Sequence, residues 1–88
     1  MLDDTLLKIK TLKNELRKLD AAHAHKAGSV AGFADAAAIE AGRKDPSAKR
    51  LRLAVDGLRD AAAEFETTHP TLAAAVAEIC RELSSLGI

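Results

Sequence analysis

The sequence has little of what small proteins use to brace a fold or to carry chemistry. Cys80 is the only cysteine, so no disulfide can form within the chain, and a single cysteine is typical of a reducing compartment. Tryptophan and tyrosine are absent, and Phe33 and Phe65 are the two aromatic residues. A chain of 88 residues also has a thin core. These absences favour stabilisation by a second copy of the chain.

The charges are balanced, and the chain has no long apolar run. Thirteen Lys and Arg residues face thirteen Asp and Glu residues, so no overall field attracts the chain to nucleic acid or to an anionic membrane. No apolar run approaches the ~18–20 residues that span a bilayer. The N-terminus carries Asp3 and Asp4 and lacks the basic start of a signal peptide. We therefore predict a cytoplasmic protein with no membrane partner.

What the sequence does contain is helix-forming residues with regular apolar spacing. Hydrophobic residues make up 48% of the chain, and Ala, Leu, Lys, Arg and Glu dominate, which is typical of long helices and coiled coils. We predict one all-α domain over residues 1–88, a small antiparallel bundle of three to four helices over about 4–27, 29–41, 46–67 and 70–86. Coiled-coil-like seams, with apolar residues three and four apart, run along these helices. We expect the seam residues to form an oligomer or partner interface, and they are Ile9, Leu12, Leu16, Leu19, Leu51, Val55, Leu58, Phe65, Leu72, Val76, Ile79, Leu83 and Leu86.

Glycine, proline and capping residues predict where the helices begin and end. Gly28 is a natural end for the first helix, and Gly42 for the second. Asp45 is expected to cap the third helix, with Pro46 at the first helical position.

Pro70 favours a turn between the last two helices, with Thr68 or His69 as the cap of the fourth. The heptad phase continues across Pro70, so a single kinked helix is the alternative. At the C-terminus, Gly87 and Ile88 have the spacing of a Schellman ending.

Three short segments of the sequence stand out, Gly28–Ala34, Phe65–Leu72 and Leu83–Ile88. In this order and spacing they are similar to a family of small bacterial proteins that is described as a domain of unknown function. The resemblance covers about the last two thirds of the chain. The resemblance implies no activity. It does imply that the turn at Pro70 and the C-terminal tail are important features of these proteins.

No arrangement of reactive side chains predicts an enzyme. His23 and His25 would lie about 200° apart on a helix, so they cannot share one metal ion. His69 and Cys80 would lie about 16 Å apart along one helix, which is beyond hydrogen-bond reach. His23 falls on the extended seam, where it either senses pH at a helix interface or ends a fraying helix. We predict no catalytic residue, no metal site and no cofactor.

The charged residues are distributed unevenly along the chain. The basic segment 43–52 has five cationic residues and one acid, a local charge of +4, and an acidic ridge follows on the third helix. The basic segment either contacts the acidic ridge, within one chain or between copies, or weakly binds nucleic acid or another polyanion. No aromatic platform supports base stacking, so we favour the first interpretation. The cations are Arg43, Lys44, Lys49, Arg50 and Arg52, and the ridge is Asp56, Asp60 and Glu64.

The function that the sequence favours is that of a self-associating helical interaction or scaffold protein, a homodimer or a larger assembly. Another helical protein is a possible partner, and nucleic acid is an unfavoured one. A parallel pair of first helices would place Lys8 against Lys13 and Glu15 against Asp20 of the other copy. Because both are like-charge pairs, we predict that the helices of two copies pack antiparallel.

Overall fold

The computed structural model describes residues 2–86, which form four α-helices and one short 3₁₀ turn. The 3₁₀ turn, Ala21–His23, lies directly before the second helix. The predicted all-α bundle is therefore confirmed, with four helices. The helices are α1 Leu2–Arg17, α2 Ala24–Ala41, α3 Ala48–Ala63 and α4 Pro70–Ser84.

The topology follows from three short connections. They cover residues 18–23, 42–47 and 64–69, six residues each, and connections this short make consecutive helices antiparallel. α4 returns beside α1, where Lys8 Nζ lies 2.9 Å from Glu78 Oε1. The bundle measures 38 by 20 by 17 Å. No helix in this part of the chain is long and apolar enough to cross a membrane.

The predicted seams line the inside of a single chain. Ten of the thirteen seam residues are buried, Leu19 and Leu72 are half-buried, and Leu86 is exposed. The ten buried residues form the core of the single chain, so a second copy that binds the folded chain would contact other residues. The buried seam residues are Ile9, Leu12, Leu16, Leu51, Val55, Leu58, Phe65, Val76, Ile79 and Leu83.

The first predicted helix boundary is wrong. α1 ends at Arg17 rather than near residue 27, and Gly28 lies inside α2. The seam is apolar only as far as Leu19, and beyond it the same phase would bring His23 and Lys26 into the core. The chain therefore turns after α1. Gly28 is tolerated inside α2, because a helical glycine costs only about 1 kcal/mol and the neighbouring positions of α2 are buried.

The start of α3 also differs from the prediction. Ser47, not Asp45, is the N-cap, and its hydroxyl accepts a hydrogen bond from the Arg50 backbone N–H at 3.2 Å. Pro46 therefore lies outside the helix. A serine hydroxyl at this position satisfies one of the free N–H groups of the first helical turn.

The turn before Pro70 is confirmed, and the single kinked helix is wrong. α3 ends at Ala63, and Pro70 occupies the first position of α4. His69 is the N-cap residue, but its side chain does not cap the helix. Its backbone N–H instead donates to the Phe65 carbonyl at 2.8 Å. The predicted Schellman ending at Gly87 and Ile88 lies outside the described residues.

Candidate interaction surfaces

The side chains that could carry chemistry are His23, His25, His69 and Cys80. Among residues 2–86, no three His, Cys, Asp or Glu side chains come together as a group that could hold a metal ion. Cys80 is buried, and its thiol donates weakly to the Val55 carbonyl, with Sγ 3.9 Å from the oxygen. Burial raises the pKa of this thiol, which opposes formation of the nucleophilic thiolate.

Three rings meet at one end of the bundle in a cluster that sequence reasoning missed. The centroid of His23 lies 4.9 Å from that of His69, edge to face, and 6.0 Å from that of Phe65. Phe65 is buried and contacts His69 as well, at 5.6 Å between centroids. The cluster holds the turn before α2 against the turn before α4. It was missed because the two histidines are 46 positions apart, although each lies on an extended seam phase.

A buried carboxylate organises the basic segment 43–52. Glu40, near the end of α2, accepts hydrogen bonds from the Ser47 backbone N–H and from Arg50 Nε, each at 2.9 Å. Arg43 Nε lies 3.4 Å from the same carboxylate. The Ser47 N–H is the main reason that the pKa of Glu40 lies below its ordinary value, and Arg50 adds to this effect. Two of the five cations are therefore engaged by Glu40 within the chain.

The other three cations of the segment, Lys44, Lys49 and Arg52, are exposed and form no ion pair with the described residues. Among the described residues, no ridge carboxylate lies within ion-pair distance of these three cations, and Asp56 instead lies 3.6 Å from Arg59 on its own helix. Within one chain, the predicted contact between the basic segment and the acidic ridge is therefore wrong. Glu40 was overlooked because nothing in its sequence spacing marks it as buried.

Helices α1 and α4 are joined by a polar network at one end. Lys8 Nζ donates to Glu78 at 2.9 Å and to Glu82, and the Thr5 hydroxyl donates to Glu82 at 2.7 Å. Lys13 on α1 pairs with Asp35 on α2. The two lysines that the sequence placed against a second copy therefore have partners in their own chain.

Toward the other end, α1 and α4 leave an apolar groove of about 560 Å³ between them. Its floor includes the buried Leu12 and Ile79, and Leu7 stands on its rim with 62% of its surface exposed. Ala75 and His69 also line it. The groove exists where α4 presents a small side chain to α1.

A second apolar surface lies on α2 and α3, and we call it the α2/α3 face. Its members are Phe33, Ala36 and Ile39 from α2 and Leu53 and Ala54 from α3, around a shallow groove of about 460 Å³. Ile39 and Leu53 are 63% and 61% exposed, and Phe33 is 40% exposed. Among residues 2–86, three of the five large exposed apolar side chains thus share one surface, which sequence reasoning missed because none of them is a seam residue.

The α2/α3 face is charged at both ends and apolar in the middle. Arg43 and Arg50 lie beside the apolar side chains at one end. At the other end, an adjoining depression is lined by Lys26 together with Asp60 and Glu64. Cations therefore mark the start of α3 and carboxylates mark its end.

Comparison with known proteins agrees with the resemblance seen in the sequence and adds no activity. No curated protein and no solved structure is significantly similar to this chain. Residues 6–88 match a family described as a domain of unknown function, DUF4404. Since the match covers nearly the whole chain, the four-helix bundle described above belongs to the DUF4404 family.

Proposed function

We propose that this protein is a non-enzymatic helical interaction protein that associates with a second copy of itself, and that the α2/α3 face is the interface. The observation that carries the proposal is the exposure of Phe33, Ile39 and Leu53 on one contiguous surface. Monomeric proteins rarely expose large contiguous apolar patches, and such patches with a polar rim mark interaction sites. The arginines at one end of the face supply a polar rim.

The size of the chain supports the same proposal. A domain of this length has a small core, and association with a second copy is one of the ways in which small domains gain stability. The predicted seams are used inside the chain, so the apolar surface available to a partner is the one outside the seams. A scaffold role follows from this arrangement, because the α1/α4 groove would stay open after the α2/α3 face is covered.

A weak polyanion contact is the second candidate function. It is favoured by the exposure of Lys44, Lys49 and Arg52, which lack ion-pair partners among the described residues. Binding of short duplex or single-stranded DNA that weakens steeply with salt would support it. Absence of a mobility shift at low salt would rule it out.

We also propose that the protein works in the bacterial cytoplasm. The single thiol is buried and unpaired, which suits a compartment where cysteines stay reduced.

Two matched leucine substitutions test the proposed interface. Leu53 on the α2/α3 face and Leu7 on the α1/α4 groove are nearly equally exposed, at 61% and 62%. The molar mass would be measured by size-exclusion chromatography with light scattering over a concentration series. We expect a wild-type dimer, a Leu53→Gln variant that shifts to monomer, and a Leu7→Gln control that stays dimeric.

Two results would contradict the proposal. A wild-type chain that is monomeric at every concentration would rule out self-association. A dimer that is lost in Leu7→Gln and kept in Leu53→Gln would place the interface at the α1/α4 groove instead.

A further inference from the structure

We infer that the two copies pack antiparallel along α3, so that Lys49 at the start of this helix in one copy meets Glu64 at its end in the other. The inference rests on the proposed function and gives the interface an orientation. The occupant of the α2/α3 face is then a second copy of this chain, related by a two-fold axis, so that each contact occurs twice.

The first argument is that the charges of α3 oppose its own helix dipole. Cations are favourable near the C-terminus of a helix and carboxylates near its N-terminus. α3 has the reverse order, with Lys49 and Arg50 in its first turn and Asp60 and Glu64 around its end. Asp60 and Glu64 are also four residues apart, a spacing at which like charges repel each other. Within one chain this order is unfavourable.

The second argument is that these charges lack partners in their own chain. In the described part of the molecule, Lys49, Asp60 and Glu64 form no ion pair, whereas Arg50 is held by Glu40. All three unpaired side chains belong to exposed residues. A surface that is basic at one end and acidic at the other is complementary to itself only when two copies run in opposite directions. A parallel pair would place Lys49 on Lys49 and Glu64 on Glu64.

The third argument is geometric. At 100° per residue, Lys49, Leu53, Asp60 and Glu64 fall within about 60° of one another on the outer side of α3. Lys49 and Glu64 are about 22 Å apart along the axis, so a two-fold axis midway between them crosses α3 near Gly57. Leu53 of one copy then lies at the level of Asp60 of the other, about 4.5 Å along the axis from Gly57, where the Phe33 ring of that copy covers the helix. The apolar partner available to Leu53 is therefore Phe33, and this contact forms in the same arrangement as the two ion pairs.

An exchange of charges between the two positions tests the orientation. Lys49→Glu alone places two carboxylates together at both symmetric contacts, and Glu64→Lys alone places two ammonium groups together. We expect each single variant to dimerise about tenfold more weakly, since two exposed ion pairs are replaced by two repulsions. The double variant Lys49→Glu/Glu64→Lys should regain the wild-type affinity. An equimolar mixture of the two single variants should form a heterodimer, because each contact then joins opposite charges.

The same variants separate loss of association from loss of folding. Both single substitutions place a charge where it suits the dipole of α3, so the thermal midpoint of each monomer should rise slightly while the dimer weakens. Lys10→Glu and Glu66→Lys, at exposed positions outside the α2/α3 face, change the net charge equally and should leave the dimer unchanged.

The outcomes distinguish the two levels of the proposal. Suppose that the wild type dimerises and that Leu53→Gln disrupts the dimer, but that the single charge variants, the double variant and the mixture all dimerise with the same affinity. The antiparallel orientation is then wrong, and the interface on the α2/α3 face stands. If the wild type does not dimerise at all, both the interface and the orientation are wrong.

Discussion

Gly57 on α3 leaves room for the ring of Phe33 on α2. A Cβ atom at Gly57 would lie 2.3 Å from Cε1 of Phe33, far inside van der Waals contact. Glycine inside a helix costs about 1 kcal/mol relative to alanine, so the close approach of the ring compensates for a weak helix position. Gly32, by contrast, has open space where its Cβ would lie.

The effect of Phe33 on Gly57 is tested by making Gly57→Ala both in the wild-type chain and in a Phe33→Ala variant. In a Phe33→Ala background, Gly57→Ala should raise the free energy of unfolding by about 0.5–1 kcal/mol, the ordinary helix preference for alanine. With Phe33 present, the same change should give no gain or a loss, because the ring must move off α3. Urea unfolding at a concentration where the chain is monomeric measures both values.

Gly32→Ala is the control for this pair, and it should stabilise the chain by a similar amount in both backgrounds. An equal effect of Gly57→Ala with and without Phe33 would show that the ring does not constrain α3.

At the scale of elements, the connection between α2 and α3 is held by one side chain. Glu40 accepts from the Ser47 N–H and from Arg50 Nε, and Ser47 in turn caps α3. The connection itself contains two sites for trypsin, Arg43 and Lys44, which are exposed. Loss of the carboxylate should therefore loosen the connection before it unfolds the bundle.

Limited digestion with trypsin measures this effect. Glu40→Gln should be cut faster than wild type after Arg43 and Lys44, with a lower thermal midpoint, because an amide accepts these charged and backbone donors less well. Glu15→Gln on α1, which removes an exposed pair with Lys18, should digest at the wild-type rate. Equal rates for Glu40→Gln and wild type would mean that Ser47 and the flanking helices hold the connection without the carboxylate.

The element boundaries show where sequence reasoning succeeds and where it fails. Pro70 has a single local meaning, because its missing N–H suits the first helical position, and it marks the start of α4 correctly. Gly28 is compatible with two local structures, because glycine occurs both at helix ends and, at a small cost, inside helices. Which of the two forms depends on which side chains near Gly28 would be buried in the core. The end of α1 is therefore decided by the core, which the sequence shows only indirectly.

At the scale of the molecule, the pH range of stability depends on two carboxylates, one lysine and one thiol. The pKa of Glu82 is lowered mainly by the hydrogen bond from Lys8, and that of Glu40 mainly by the Ser47 N–H. Because the pKa of each carboxyl is lowered in the folded chain, its ionised form stabilises the fold at pH values above the ordinary pKa of 4.5. This contribution disappears as the pH falls through the pKa of the folded state. The pKa of Lys8 is raised mainly by Glu82, so its contribution is present below 10.5 and is lost as pH rises through the folded value.

The raised pKa of the buried Cys80 thiol adds a loss of stability from about pH 9 upward, because the thiol ionises more readily in the unfolded chain. We therefore expect the free energy of unfolding to fall at both ends of the pH range, below about 4.5 and above about 9. Urea unfolding monitored by circular dichroism across this range measures the acid limb and the alkaline limb of the curve of unfolding free energy against pH. Glu82→Gln should flatten both of them, because Lys8 then keeps only Glu78 as a partner. Limbs that keep their wild-type slope in Glu82→Gln would assign the pH dependence to other groups.

The candidate surfaces could be predicted only in part from the sequence. Heptad spacing identified most of the core, since residues such as Leu58 and Leu83 repeat at the period of a buried helix face. The same spacing does not say whether a seam faces its own chain or a second copy, and here it faces inward. Ile39 and Leu53 are large apolar residues that lie outside the seams, and this position in the sequence could have predicted the α2/α3 face.

The buried side of α2 is built almost entirely from alanine. Four buried alanines and Val30 make up its apolar core face. A leucine in the core of this bundle could exchange for isoleucine or methionine with little penalty, but an alanine that grows must push a whole helix aside. Over many generations, the large core residues can therefore be exchanged for others of similar volume, whereas the buried alanines are rarely replaced. The slowest-changing part of the sequence is then set by how closely α2 approaches its neighbours, at Ala27, Ala34, Ala37 and Ala41.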